Sequence, residues 1–113
     1  MNIQIFGKTK CFDTRKAERW FMERGVKFQS VDMAAKGMSR GELTSVLSTV
    51  GGLDKLIDAD AKTPDALLLK YLASDEAKIE KLLDTPKLFR TPIVRNGKEA
   101  TVGFCPAIWK NWT

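Results

Sequence analysis

Ile3 and Ile5 alternate with Asn2 and Gln4 and, with Phe6, predict a short strand over 2–6 that ends at Gly7. From Phe12 to Arg24 the period lengthens. Ala17, Trp20, Phe21 and the stem of Arg24 recur at helical spacing on one face, and Gly25 supplies the stop. Alternation returns from Val26 to Val31, with Val26, Phe28 and Ser30 on one side, and leads into Asp32. A β-α-β opening of this length suits a parallel strand pair joined by a right-handed crossover.

The middle of the chain reads as helical. Ser39 and Glu42 have capping-box spacing, and Leu43, Val46, Leu47 and Val50 share one helical face before the Gly51-Gly52 break. A short segment, Leu53 to Ile57, precedes a loop. Thr63-Pro64 then supplies a cap and a first-position proline for a helix through Tyr71. Another helix, from about Asp75 to Leu83, is expected to bury Ile79, Leu82 and Leu83. Beyond it, the apolar runs 92–95 and 100–104 flank Asn96-Gly97, the strongest short signal for a β-hairpin. Alternation with Val94 predicts a solvated Arg95. A last helix begins near Pro106 and carries Ile108, Trp109 and Trp112, whose spacing, like that of Trp20, favours packing over a binding platform. This order (β-α-β, helical block, β-hairpin, C-terminal helix) is that of an α/β, thioredoxin-like fold with a helical insertion at about 38–86. A length of 113 residues suits one domain over 1–113. Element order alone assigns no activity.

Composition narrows the chemistry. The chain has no histidine, which excludes Ser-His and Cys-His nucleophiles, His-ligated zinc and a histidine base. Two cysteines, Cys11 and Cys105, are too few for a disulfide scaffold or a four-thiolate metal site, so no metal is expected and the cysteines matter as thiols. No apolar run approaches the roughly 20 residues of a membrane span, and the first residues lack a signal-peptide pattern, so a cytoplasmic protein without a membrane partner is expected. Residues 1–40 hold nine Lys/Arg against four Asp/Glu, 41–86 five against nine, and 87–113 five against one. If the two basic ends meet, they form a positive surface that attracts anions. No dense Lys/Arg run interleaves with aromatics, so direct nucleic-acid binding is not expected.

Cys11 sits in Lys8-Thr9-Lys10-Cys11-Phe12-Asp13-Thr14-Arg15-Lys16-Ala17, between the first strand and the first helix. There a sulfur faces the free N–H groups of a helix start, which favour thiolate over thiol. Lys8, Lys10 and Arg15 are expected to push the same way. Thr14, three residues on, places a hydroxyl where it can donate to the sulfur. Arg90 is a candidate contact for an anion near Cys11 if the chain brings 90–92 beside it, and Asp13 reads as an ordinary first-turn acid. The competing reading of Cys11 is a buried cysteine acting as a small hydrophobe.

Three segments carry a resemblance across nearly the whole chain: Cys11-Phe12-Asp13-Thr14-Arg15-Lys16-Ala17, Gly52-Leu53-Asp54-Lys55-Leu56 and Arg90-Thr91-Pro92-Ile93-Val94. Together they resemble the arsenate reductase-like (ArsC/Spx) family of the thioredoxin superfamily. The resemblance implies a cis Thr91-Pro92 bond beside a reactive Cys11. It also implies thiol chemistry with glutathione or another thiol as co-substrate and no bound cofactor, and a small thiol or a protein disulfide as partner. Arsenate reductases of the family cradle their oxyanion with three arginines. At those places this chain reads Asp58-Ala59-Asp60-Ala61-Lys62, Thr91 (with Arg90 one residue early) and Cys105. A tetrahedral dianion wants forked guanidinium donors, so poor arsenate reduction is expected. The Spx branch implies the alternative, a non-enzymatic regulator that binds RNA polymerase and senses oxidation through Cys-x-x-Cys; Thr14 stands where its second thiol would be. Hairpin geometry brings Phe104 and Cys105 back toward Arg90 and Thr91. Cys105 is therefore either a resolving thiol for Cys11 or a small buried residue at the last helix.

Overall fold

The computed structural model describes residues 2–112. Four strands, β1 (Ile3–Gly7), β2 (Phe28–Asp32), β3 (Ile93–Asn96) and β4 (Glu99–Val102), form one sheet in the order β2-β1-β3-β4. β1 pairs parallel with β2 and antiparallel with β3, and β3 with β4 antiparallel. Among the described residues five α-helices, α1 (Phe12–Glu23), α2 (Arg40–Val50), α3 (Pro64–Lys70), α4 (Asp75–Asp84) and α5 (Pro106–Trp109), complete the expected order, with α2, α3 and α4 in the insertion. This is the thioredoxin-like α/β arrangement.

Alternation along the strands feeds two cores, because successive side chains leave opposite faces of a sheet. Ile3, Ile5 and Val94 meet Ala17, Trp20 and Phe21 of α1 and Trp109 of α5 on one face. Phe6, Val31 and Ile93 meet Leu43 and Val46 of α2, Leu82 of α4 and Phe89 on the other. Trp109 is fully buried, and its indole N–H donates to Thr101 Oγ1 at 2.8 Å, so the short α5 is anchored to β4 by both packing and a hydrogen bond.

Local chemistry explains the element ends. The capping box at the start of α2 is complete: Ser39 Oγ accepts from Glu42 N, and Glu42 Oε1 accepts from Ser39 N. Thr63 caps α3 by accepting from Ala66 N, and Ser74 caps α4 by accepting from Ala77 N. In α4, Leu82 is fully buried while Ile79 and Leu83 pack half-buried against the same core.

Several details depart from expectation, among them that α5 ends at Trp109 and does not carry Trp112. β2 starts at Phe28, because the Val26 N–H is spent on Phe21 O at 3.0 Å in the turn that leaves α1; Val26 and Phe28 still pack on the α1 side. In the hairpin Asn96 pairs with Glu99, so Gly97-Lys98 makes the turn, with Gly97 at φ +61 in the left-handed region. Arg95 is not solvated. β3 is an interior strand covered by α2 on that face, so alternation leads the side chain to Gln4 Oε1 at 2.9 Å and Glu42 at 3.7 Å, with Nε buried and unpartnered.

Candidate active site

β1 ends at Gly7, and the chain turns through Lys8–Lys10, closed by a Cys11 N–H to Lys8 O bond of 3.2 Å. Cys11 is then the N-cap of α1, with extended backbone (φ −91, ψ 117) and a half-buried sulfur that makes no capping bond itself. Its S–H donates to Thr91 O at 3.6 Å, from the residue before the cis Thr91-Pro92 bond. Thr14 is 6% exposed, and its Oγ1 accepts from Lys8 N at 3.4 Å, which leaves the hydroxyl proton for the sulfur. Sequence reasoning overlooked Gly7. A Cβ there would lie 2.2 Å from Thr14 Cγ2 and 2.8 Å from its Oγ1, so only glycine leaves room for Thr14 in this position. A glycine closing the first strand was the visible signal.

Burial of the sulfur opposes ionisation, yet the Cys11 pKa lies below the ordinary thiol value of 9.0. The hydroxyls of Thr14 and Thr91 and the backbone N–H groups of Thr14 and Asp13 hold the thiolate. Two of the basic residues expected to contribute, Lys8 and Arg15, are engaged elsewhere. Lys8 Nζ lies 3.8 Å from Asp58 Oδ2, and Arg15 donates to Thr9 O at 3.1 Å with its guanidinium 5.9 Å from the Phe12 ring centroid. Lys10 is exposed, and the exposed Arg90 leans toward Gly103, its Nη2 3.7 Å from where a Cβ would stand. Hydrogen bonds from Thr14, Thr91 and Asp13 are what surround the sulfur and lower its pKa. Phe12, 77% exposed, leaves an aromatic surface beside the thiol.

Cys105 stands at the N-cap position of α5 without capping it, and its S–H donates to Val102 O at 3.3 Å. Burial raises its pKa above 9.0, outweighing the Thr101 hydroxyl and the positive charge of Arg90, and the carboxylate of Asp13 adds to the rise. The structure thus gathers Cys11, Thr14, Thr91 and buried Pro92 into one cluster, with Arg90 and Cys105 at its edge. A separate cleft of about 610 Å³ lies at the opposite end of the sheet, by Asn96, Glu99 and Trp112, with no cysteine among its lining residues.

The model of the ArsC family matches residues 6–111. The chain belongs to the ArsC family. Global transcriptional regulator Spx 2 of Oceanobacillus iheyensis is 31% identical over 109 residues, covering 92% of this chain and 78% of that protein. Among solved structures, a protein from Bacteroides fragilis superposes with a TM-score of 0.87 at 20% identity, over 100% of this chain and 98% of its own. The arsenate reductase from Vibrio cholerae follows at 0.85 and 22%, over 98% and 97%. These two show a shared fold. In this ArsC family chain, the first of the three places where the resemblance calls for arginine holds Asp58, paired with Lys8. The second is Thr91, bonded to Cys11, and the third is Cys105. Among the described residues no helix is long and apolar enough to cross a membrane.

Proposed function

We propose that this ArsC family protein performs thiol–disulfide exchange, with the Cys11 thiolate forming mixed disulfides with glutathione or a partner protein. The observation that carries this reading is the convergence of Thr14, Thr91 and two helix-start N–H groups on one half-buried sulfur. The thiolate attacks one sulfur of a disulfide R–S–S–R. The S–S bond breaks, Cys11–S–S–R forms, and R–S⁻ departs to be protonated by water. Free thiols at Cys11 and Cys105 suit a reducing compartment such as the cytoplasm. Arsenate reduction is not proposed. Asp58 and Asp60 stand where an oxyanion needs guanidinium, and Asp58 draws off Lys8.

Incubating the purified protein with oxidised glutathione and weighing it intact tests the proposal. A glutathione adduct mapped to Cys11 is expected, with little turnover of arsenate in the presence of glutathione and glutaredoxin. An unmodified Cys11 after prolonged incubation overturns it.

A second reading is favoured by the 31% identity to Spx 2. In it the same fold is a protein-binding module whose partner is RNA polymerase, and Cys11 tunes that contact. Retention of purified polymerase by the immobilised protein, with no glutathione adduct, would favour this reading.

A further inference from the structure

We infer that Cys105 is the resolving thiol of this site: once Cys11 carries a mixed disulfide, Cys105 attacks the Cys11 sulfur, closes an intramolecular disulfide and releases the bound thiol. The inference rests on the reading of Cys11 as the nucleophile.

Two short stretches of chain meet both cysteines. From the proline side, Thr91 O lies 3.6 Å from Cys11 Sγ, and the next carbonyl, Pro92 O, accepts from Gly103 N at 2.8 Å, two residues before Cys105. The Gly103–Pro92 bond carries the β3–β4 pairing one step past Ile93–Val102, and Phe104 and Cys105 follow directly in the chain. From the helix side, Lys16 Nζ lies 5.7 Å from the Phe104 ring centroid. Asp13, two residues from Cys11, is close enough for its charge to act on Cys105, as does that of Arg90. Cys105 therefore lies within electrostatic reach of both Asp13 and Arg90. Cys11 takes its hydrogen bonds from the neighbours of those same residues, Thr14 and Thr91.

A disulfide requires Cα atoms within roughly 7 Å. With Trp109 anchoring the far end of α5, the piece that can adjust is the Cys105 corner before it. Its helix is four residues long and has no side-chain cap, and it is entered through Gly103 at φ +85. The thiol of Cys105, bonded to Val102 O, gives its proton to water and attacks the Cys11 sulfur. The Cys11–S–S–R bond breaks and R–S⁻ leaves. Over both steps two cysteine thiols lose two electrons to R–S–S–R, which departs as two thiols.

Oxidised glutathione is the probe, and intact mass with non-reducing peptide mapping is the readout. In the native protein the adduct should be transient and give way to a species two hydrogens lighter that yields a Cys11–Cys105 linked peptide. In Cys105→Ser the adduct should persist at Cys11, with a lifetime longer by about tenfold or more, the gain expected of an intramolecular thiol. An unchanged alkylation rate at Cys11 in Cys105→Ser shows that the variant keeps the site intact. A native adduct that lasts as long as the variant's, with Cys105 still free, overturns the resolving role and leaves the nucleophile standing. Absence of any adduct or disulfide in both proteins overturns both.

Discussion

Cys11 and Cys105 occupy the same kind of place. Each is half-buried, and each stands directly before a helix. Their acidities nevertheless move in opposite directions from 9.0. At Cys11 four donors aim at the sulfur, and their sum exceeds the cost of burial. At Cys105 one hydroxyl and one arginine face the same burial together with the Asp13 carboxylate, and burial wins. The helix behind Cys11 runs for 12 residues and the one behind Cys105 for only four, so the second also lacks a developed dipole. A cysteine at a helix start is thus not activated by position alone. Donors within hydrogen-bonding reach of the sulfur decide the outcome.

The most severe way to break the comparison is Cys11→Ser, which should abolish the glutathione adduct outright, because Cys105 remains protonated near neutral pH; adduct formation is read by intact mass. Next comes Gly7→Ala. The added methyl would fall 2.2 Å from Thr14 Cγ2, so Thr14 must shift. Overpacking of this kind costs about 1–3 kcal/mol, measurable by urea unfolding, and alkylation of Cys11 near neutral pH should slow at the same time. Thr14→Val keeps the shape but removes one donor. It should move the reactivity inflection of Cys11 upward, toward 9.0, and lower its neutral-pH alkylation rate several-fold. Arg15→Ala should have the smallest effect, leaving the inflection in place, because Arg15 is committed to Thr9 O and the Phe12 ring. A large shift in that variant would restore the basic rim as the cause.

Much of this was legible in the chain, and the parts that were not share a cause. The alternation of Ile3 and Ile5, the Ser39–Glu42 box and the Thr63-Pro64 start each encode a local rule, and each reappears at or next to its expected place. The nearness of Thr14 to Cys11 was legible for the same reason, since three residues of spacing at a helix start fix their relation. The direction of Lys8 and the burial of Arg95 were not, because both depend on partners distant in sequence, Asp58 and the α2 residue Glu42. The need for glycine at position 7 was also hidden, since it follows from how closely α1 returns over the end of β1.

The central claim is that the donors around each sulfur, two hydroxyls and two N–H groups of α1 at Cys11 against one hydroxyl at Cys105, separate the two thiols. The most direct measurement is the iodoacetamide alkylation rate of each cysteine across pH, in Cys105→Ser for Cys11 and in Cys11→Ser for Cys105. The account predicts that the Cys11 rate levels off below pH 9.0 while the Cys105 rate is still rising there. Coincident inflections, or a lower one for Cys105, would contradict it.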